Sequence, residues 1–377
     1  MPASRRLRWV LSLVIASVTL VMAGGPADAA DVNGFTITTT AELGGAAAGE
    51  IEEFWKSKAP RTSETFVGQR GLNLAYVTFV QPDRAAEKGA IVIVNGRTEA
   101  YLKYKEMIFD LWRNGYSVYA YDHRGQGLSD REREVASEPE RGYVNSFDDF
   151  VSDLDTFVRT KVAPGNHANY FLVAHSMGGA IAAQYLERSA DSGLRFRAAA
   201  LSSPMMEIKG LFGLSGDLLT CHGARLLKTL GLSTRYVLGG SGYSPKSFAK
   251  NSYTSSPVRY QRLLDEYEKT PRVRLGSATH GWYARACDAS RQARRDGAKI
   301  QIPVRLFQAG ADTIVHPAGQ REFCENYKKT RSEGCDGAGG GPIPVAEAKH
   351  ELFIEDDAKR NQVLTTILKF FGGQRQR

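Results

Sequence analysis

The sequence predicts an α/β fold in which helices flank a mostly parallel central sheet and a helical cap is inserted into the chain. Two patterns support this prediction. Short apolar segments alternate with amphipathic ones, which is typical of parallel strands that are buried on both faces and joined by helical crossovers. One long interval lacks this alternation, and it is the predicted cap.

The predicted strands are rich in Val, Ile, Leu, Phe, Tyr or Ala, and each ends close to a turn-forming residue. They comprise Ile91–Val94, Ser117–Tyr121, Tyr170–Ala174, Arg197–Leu201, Pro303–Gln308 and Ile343–Val345. Amphipathic helices are predicted at Tyr104–Asn114, Phe147–Val158, Ala180–Arg188 and Asp357–Phe371. The predicted α/β core therefore covers residues 30–204 and 299–377.

The predicted cap covers residues 205–298, where clustered leucine and aromatic residues replace the strand–helix repeat. We expect Leu211-Phe212-Gly213-Leu214 and Leu218-Leu219 to line an acyl tunnel or to face a membrane. Each methylene buried by such a cover contributes about 0.8 kcal/mol to binding. The same leucines suit a structural role equally well, in which they hold the cap on the core.

The N-terminus has the features of a secretory signal peptide, predicted to cover residues 1–29. Arg5, Arg6 and Arg8 precede the apolar segment Trp9–Ala23, and Ala27-Asp28-Ala29 fits a cleavage site. The apolar segment is shorter than the roughly 20 residues of a transmembrane helix. We therefore predict a secreted or periplasmic protein, with an uncleaved N-terminal anchor as the alternative.

Export would place the four cysteines in an oxidising compartment. Four cysteines can pair in several ways, and we favour Cys324–Cys335, which are close in sequence, and hence Cys221–Cys287. No Cys-x-x-Cys motif or Cys/His cluster has the spacing of a metal site. We therefore expect neither a metal nor a cofactor.

The formal net charge of the chain is +8. A basic surface suits peripheral contact with an anionic membrane, and it is equally compatible with an ordinary solvated surface. We expect no nucleic-acid partner and infer no obligate protein partner.

The segment Phe171–Gly179 is the most informative for chemistry. It combines an apolar strand, Ser176 flanked by small residues, and an alanine-rich helix. This is the context of a nucleophile elbow, in which the serine occupies a sharp strand-to-helix turn and the helix N-terminus faces developing negative charge. The usual motif is G-x-S-x-G, and Ala174 replaces its first glycine here. Ser176 is the predicted nucleophile.

A serine hydroxyl needs a base and an orienting carboxylate to act as a nucleophile. After an elbow of this kind, the acid and then the histidine follow along the chain. His350 lies between the last predicted strand and the last helix, and we predict that it is the base. Asp312, at the end of a predicted strand, is the predicted acid. Asp356 and Asp357 are alternatives, but both follow the histidine.

The oxyanion of an acyl-transfer reaction needs two backbone N–H donors. We predict that Met177, directly after the nucleophile, supplies one, and that Arg97, after the first predicted strand, supplies the other. The predicted substrate-binding residues are Gly96, Glu99, Lys103 and His175. The charged side chains of Arg97, Glu99 and Lys103 either hold a polar head group or are ordinary surface charges.

Four segments carry motifs that can be compared with known families: Asn95–Tyr104, Asp122–Gly127, Ala174–Gly179 and His350–Leu352. Together they resemble bacterial lysophospholipases of the monoacylglycerol-lipase-like α/β-hydrolases, whose domain is also described as serine-aminopeptidase-like. The resemblance extends from about Leu72 to Phe371 and is loose in the cap. It implies an α/β-hydrolase fold, the triad of Ser176, Asp312 and His350, and a cap that forms an acyl tunnel.

The expected reaction is the hydrolysis of a carboxylic ester through an acyl-enzyme on Ser176. The expected substrate is a monoacyl lipid, either a lysophospholipid or a monoacylglycerol. Two alternatives stay open, namely a serine peptidase on the same fold and a non-catalytic lipid-binding protein. The intact set of triad residues argues against the second.

Overall fold

The computed structural model describes residues 32–58, 64–188, 194–209 and 220–375. Its strands form a single sheet. They are β1 (Glu64–Val67), β2 (Asn73–Phe79), β3 (Gly89–Val94), β4 (Tyr116–Tyr121), β5 (Tyr170–His175), β6 (Ala198–Ser202), β7 (Val304–Ala309) and β8 (Ile343–Val345).

The α-helices of the described residues lie on both faces of this sheet and in the insertion between β6 and β7. They are α1 (Thr40–Leu43), α2 (Ala46–Lys58), α3 (Lys105–Arg113), α4 (Phe147–Phe157), α5 (Met177–Arg188), α6 (Thr220–Leu227), α7 (Pro257–Lys269), α8 (His280–Asp296), α9 (Pro317–Tyr327) and α10 (Asp357–Gly373).

The strand order is β1-β2-β4-β3-β5-β6-β7-β8, and every pair from β4 to β8 is parallel. The predicted mostly parallel sheet is therefore confirmed, and each predicted strand matches one of these to within two residues. The antiparallel strands β1 and β2 were not predicted. Three of the four β1 side chains are exposed, so this edge strand lacks the continuous apolar run that marks a buried strand.

Two apolar cores fill the space between the sheet and its helices. Residues of α4, α5, α8 and α9 pack on one face, and residues of α2, α3 and α10 pack on the other. Because side chains alternate between the faces of a strand, Val92 and Val94 point to the first core while Ile91 and Ile93 point to the second. Because both faces of the sheet are packed, the sheet is held in place. The carboxyl ends of its parallel strands lie together at one edge of the sheet.

The predicted cap interval contains α6, α7 and α8, which differ in their packing. The α8 side chains Trp282, Ala286, Ala289 and Ala293 belong to the core on the sheet. Exposed leucines, by contrast, follow the end of α6. The cap boundaries at residues 205 and 298 stay a prediction, and the segments Leu211–Leu214 and Leu218–Leu219 lie outside the described residues.

Two disulfides link Cys221 to Cys287 and Cys324 to Cys335, with Cα–Cα distances of 6.0 and 5.6 Å. This is the pairing that the sequence favoured, and no cysteine is left free. The first disulfide joins α6 to α8. Within the described residues, no helix has the length and apolar character needed to cross a membrane. The predicted signal peptide, residues 1–29, lies outside them.

The motif Asp122–Gly127 forms a buried turn directly after β4. The Asp122 carboxylate accepts hydrogen bonds from the backbone N–H groups of Tyr101 (2.6 Å) and Leu128 (2.8 Å). Gly127 has φ +56°, and a side chain there would overlap this carboxylate. The turn thus fixes the start of the segment that leads to α3.

Candidate active site

Ser176 lies at the sharp turn between β5 and α5. Its φ is +49°, a left-handed conformation that is uncommon for a residue with a side chain and is typical of functional turns. A side chain at Gly178 would overlap the carbonyl oxygens of Val94 and Asn95, so only glycine lets α5 start this close to β3. The sharp strand-to-helix turn that the sequence predicted at Ser176 is therefore present.

His350 and Asp312 converge on this serine from the ends of two other strands. Asp312 follows β7 and His350 follows β8. His350 Nε2 lies 2.8 Å from Ser176 Oγ, and His350 Nδ1 lies 2.7 Å from Asp312 Oδ2. Asp312 Oδ1 accepts the N–H groups of Ile314 and Val315, which fixes the orientation of its carboxylate. All three predicted side chains thus form one hydrogen-bonded array.

The alternative acids lie elsewhere. Asp356 caps the N-terminus of α10, where its side chain accepts the N–H of Lys359. Asp357 accepts hydrogen bonds from Thr40 and forms an ion pair with Arg259 at 2.8 Å. Neither carboxylate contacts His350, so the geometry favours Asp312 over both.

His350 and Asp312 each favour the charged form of the other. Burial lowers the pKa of His350, but the Asp312 carboxylate, together with the more weakly acting Glu351 and Glu99, raises it above its ordinary value of 6.5. Burial also acts to raise the pKa of Asp312, yet the charge and hydrogen bond of His350 hold it below its ordinary value. Asp312 is therefore ionised at neutral pH and stabilises the imidazolium form of the histidine.

The predicted oxyanion donors come from the residue directly after Ser176 and from the loop after β3. Met177 is the first residue of α5, so its N–H has no acceptor within the helix. Arg97 lies in the loop after β3, next to Thr98, which has φ +62°. The N–H of Gly96 is not free for substrate, because it donates to Glu99 Oε2 at 2.5 Å.

The predicted substrate-binding side chains Glu99, Lys103 and His175 meet in a buried polar cluster. Two further residues that the sequence did not single out, Tyr104 and Glu351, complete it. Glu99 accepts hydrogen bonds from Lys103 Nζ (2.8 Å) and Tyr104 OH (2.5 Å). Lys103 also contacts Glu351, and His175 Nε2 lies 2.8 Å from Glu351 Oε1. Only the position of Glu351 directly after His350 could have indicated its place.

Ionisation within this cluster is uneven. Burial and the nearby Glu351 carboxylate raise the pKa of Glu99. Burial opposes ionisation of Glu351 as well, but the Lys103 charge lowers its pKa below the ordinary value. Burial lowers the pKa of His175 well below 6.5, so this imidazole is neutral at physiological pH. The cluster therefore places less negative charge near Ser176 than two free carboxylates would.

The sequence did not predict a metal site, but one group of buried side chains in the described residues has the spacing of potential metal ligands. His175, His350 and Glu351 bring potential ligand atoms within 4.8 Å of one another. Both nitrogens of His350 already face a partner, Asp312 on one side and Ser176 on the other. A metal bound there would compete with the triad for the histidine.

Two adjoining cavities share part of their walls, and one of them contains Ser176. The cavity that contains Ser176 and His350 has a volume of about 350 Å³, and its walls are mostly apolar, with Met205, Ile208 and Trp282 among them. The second, about 490 Å³, is lined mainly by tyrosine, serine and charged side chains. Arg97, Thr98, Glu99, Tyr253, Ser277 and Glu351 line both. A ligand at Ser176 can therefore extend in an apolar and in a polar direction.

A parallel sheet with a serine at a strand-to-helix elbow, followed by an acid and a histidine on later strand ends, defines the class of α/β-hydrolases. Comparison with known proteins agrees. A model of the family described as serine aminopeptidase, S33, matches residues 85–356, and the chain belongs to this family.

Several characterised relatives are similar over much of the chain. Lysophospholipase L2 of Escherichia coli strain K12 is 32% identical over 328 residues, which cover 86% of this chain and 90% of the relative. Monoglyceride lipase of Rattus norvegicus is 34% identical over 233 residues, covering 62% and 68%.

Solved structures show the same fold. A soluble variant of monoglyceride lipase from Saccharomyces cerevisiae, in complex with a substrate analogue, has a TM-score of 0.64 at 18% identity and covers 85% of this chain and 97% of that one. A monoacylglycerol lipase of Paleococcus ferrophilus has a TM-score of 0.58 at 22% identity, covering 80% and 99%.

Proposed function

We propose that the protein is a carboxylic ester hydrolase that cleaves monoacyl lipids, with Ser176 as nucleophile, His350 as base and Asp312 as orienting acid. The observation that carries this proposal is the hydrogen-bonded array of these three side chains at the end of a mostly apolar cavity. The similarity to lysophospholipase L2 and to monoglyceride lipase supports the substrate class.

In the proposed reaction, Ser176 Oγ attacks the ester carbonyl while its proton passes to His350 Nε2. The N–H groups of Met177 and Arg97 stabilise the oxyanion. The bond to the glycerol oxygen then breaks, and that oxygen takes the proton from His350. Water activated by the same histidine cleaves the acyl-enzyme and releases the fatty acid. No redox step or further reactant is needed.

A peptidase that removes N-terminal residues is the alternative on this fold. It would need a free carboxylate near Ser176 to hold the amino group of its substrate. The carboxylates that line the catalytic cavity are Glu99 and Glu351, and both contact Lys103. This pairing favours an ester hydrolase.

A substrate panel tests the proposal directly. Purified protein is assayed on a lysophospholipid, on a monoacylglycerol with the same acyl chain, and on aminoacyl nitroanilides. We expect hydrolysis of at least one of the two lipids and none of the nitroanilides. Cleavage of the nitroanilides alone would favour the peptidase, and lipid binding without turnover would favour the non-catalytic alternative.

We also propose that the protein is exported and has peripheral contact with anionic membranes. Two disulfides suit an oxidising compartment. Between Asp217 and Asp265 the sequence has several lysines and arginines but no aspartate or glutamate. Mass spectrometry of exported protein tests the first point, where an N-terminus near Ala30 and no alkylatable thiol are expected. Four reactive thiols in native exported protein would contradict it.

A further inference from the structure

The guanidinium group of Arg97 is a cation without a counter-ion among the described residues. Its Nη2 donates to the carbonyl oxygen of Gly276 at 2.7 Å, and its Nε is buried and unbonded within the described part of the chain. The group lies over the ring of Trp282, with 4.9 Å between Cζ and the ring centroid. Arginine side chains in such surroundings are ordinarily paired with a carboxylate, so the unused donors point to a ligand.

The position of Arg97 relative to the cavities indicates where that ligand binds. Arg97 lines both the catalytic cavity and the polar cavity, and so stands where they join. The neighbouring carboxylates of Glu99 and Glu351 both contact Lys103, and within the described residues neither forms an ion pair with Arg97. Lys246, an exposed residue that lines the polar cavity, adds a second positive charge. The junction therefore favours an anion.

The chemistry of a monoacyl lipid then fixes the nature of the anion. If the acyl chain occupies the apolar cavity, the glycerol and the head group extend from Ser176 into the polar one. Only the glycerol separates the ester from the phosphate in a lysophospholipid, and a planar guanidinium matches phosphate oxygens in a forked geometry. Burial lowers the pKa of Arg97 only to about 10, which leaves the group charged at neutral pH.

We propose that the Arg97 guanidinium binds the phosphodiester of a lysophospholipid head group in the polar cavity and thereby selects lysophospholipids over neutral monoacylglycerols. This inference rests on the proposed function. It assigns to the Arg97 side chain a role in substrate choice that is separate from the backbone N–H of the same residue.

The test compares the selectivity of variants, expressed as the ratio of kcat/KM on 1-palmitoyl lysophosphatidylethanolamine to kcat/KM on 1-palmitoylglycerol in non-ionic detergent micelles. Arg97→Met should lower this ratio about 10- to 100-fold, because a charge-assisted hydrogen bond to phosphate is lost. Arg97→Lys should recover part of the ratio, since it restores the charge without the fork. A loss of turnover that affects both lipids equally cancels in this ratio.

A second variant moves the guanidinium without changing residue 97. A Cβ on Gly142 would overlap Arg97 Nη2, and the φ of Gly142 is not in the left-handed region. Gly142→Ala should therefore also lower the ratio, whereas Gly49→Ala, in an open position on α2, should not. This pair keeps the test decisive if Arg97→Met fails to fold.

Inorganic phosphate distinguishes the source of the anion. A drop in the ratio with no phosphate inhibition of monoacylglycerol hydrolysis identifies the lipid phosphodiester as the ligand. Phosphate inhibition that depends on Arg97, with an unchanged ratio, would assign the site to free phosphate and overturn the inference. An unchanged ratio in both Arg97→Met and Gly142→Ala would also overturn the inference about Arg97. It would not contradict the proposed ester hydrolysis. Wild-type protein that hydrolyses neither lipid would instead refute the proposed function.

Discussion

Three residues, Ser176, His350 and Asp312, carry the proposed chemistry. Ser176→Ala should lower the hydrolysis of short-chain nitrophenyl esters by about 10³-fold or more, because the hydroxyl that forms the proposed acyl-enzyme is removed. Asp312→Asn should also be severely impaired. Asp356→Asn is the matched control, since Asp356 caps α10 and does not contact His350. Near-wild-type turnover by Ser176→Ala, or an inactive Asp356→Asn beside an active Asp312→Asn, would refute these assignments.

The pH dependence of the reaction depends on the pair of His350 and Asp312. The base acts in its neutral form, and Asp312 raises the pKa of His350 above 6.5. The rate should therefore fall on acidification with a midpoint above 6.5. Asp312→Asn removes the strongest interaction that raises this pKa, whereas Glu351 and Glu99 still raise it and burial still lowers it. The midpoint of the residual activity should therefore move to lower pH. Profiles of kcat/KM against pH measure both midpoints, and identical midpoints would contradict this account.

At the scale of elements, the close contact between the start of α5 and the end of β3 sets the geometry of the elbow. Gly178→Ala should displace α5 and lower both activity and the free energy of unfolding, because its Cβ would overlap two carbonyl oxygens. Gly223→Ala is a suitable control, since α6 leaves open space at that glycine. The control should gain up to about 1 kcal/mol of stability from helix propensity.

Denaturant titration and ester hydrolysis measure the two effects. A Gly178→Ala variant with wild-type stability and activity would show that the elbow tolerates a wider spacing. It would then weaken the argument that glycine is required at this position.

At the scale of the whole molecule, the exposed apolar side chains are concentrated on one part of the insertion. The exposed fractions are 60% for Leu226, 65% for Leu230 and 92% for Leu238. The surrounding sequence has basic residues such as Lys228 and Arg235 and no acidic ones. We expect this surface to contact anionic membranes, where the leucines enter the interface and the basic residues meet lipid head groups.

Vesicle sedimentation tests this contact. The double variant Leu226→Ser/Leu230→Ser should bind phosphatidylglycerol vesicles at least 10-fold more weakly, since each inserted leucine contributes about 2 kcal/mol. Val67→Ser is the control, because Val67 is 63% exposed but lies on β1 at the sheet edge. Equal binding of both variants and wild type would exclude this surface as the membrane contact.

The sequence by itself determined the parallel sheet, the elbow and the identity of the three residues that converge there. These features depend on local patterns. A buried parallel strand needs a continuous apolar run, an elbow needs small residues around Ser176, and chain order places Asp312 and His350 after it. The antiparallel strands β1 and β2 were not predicted, and for β1 the reason is that an exposed edge strand has no such run.

Only the tertiary structure decided how the charged residues around the site are paired. Lys103 contacts Glu351 across a sequence separation of 248 residues, and Arg97 stacks on Trp282 from the insertion. A local pattern contains no information on such contacts, since they depend on which strand ends the crossovers bring together. As a result, the sequence grouped Arg97, Glu99 and Lys103 as equivalent charges, whereas folding pairs the last two and leaves Arg97 without a described counter-ion.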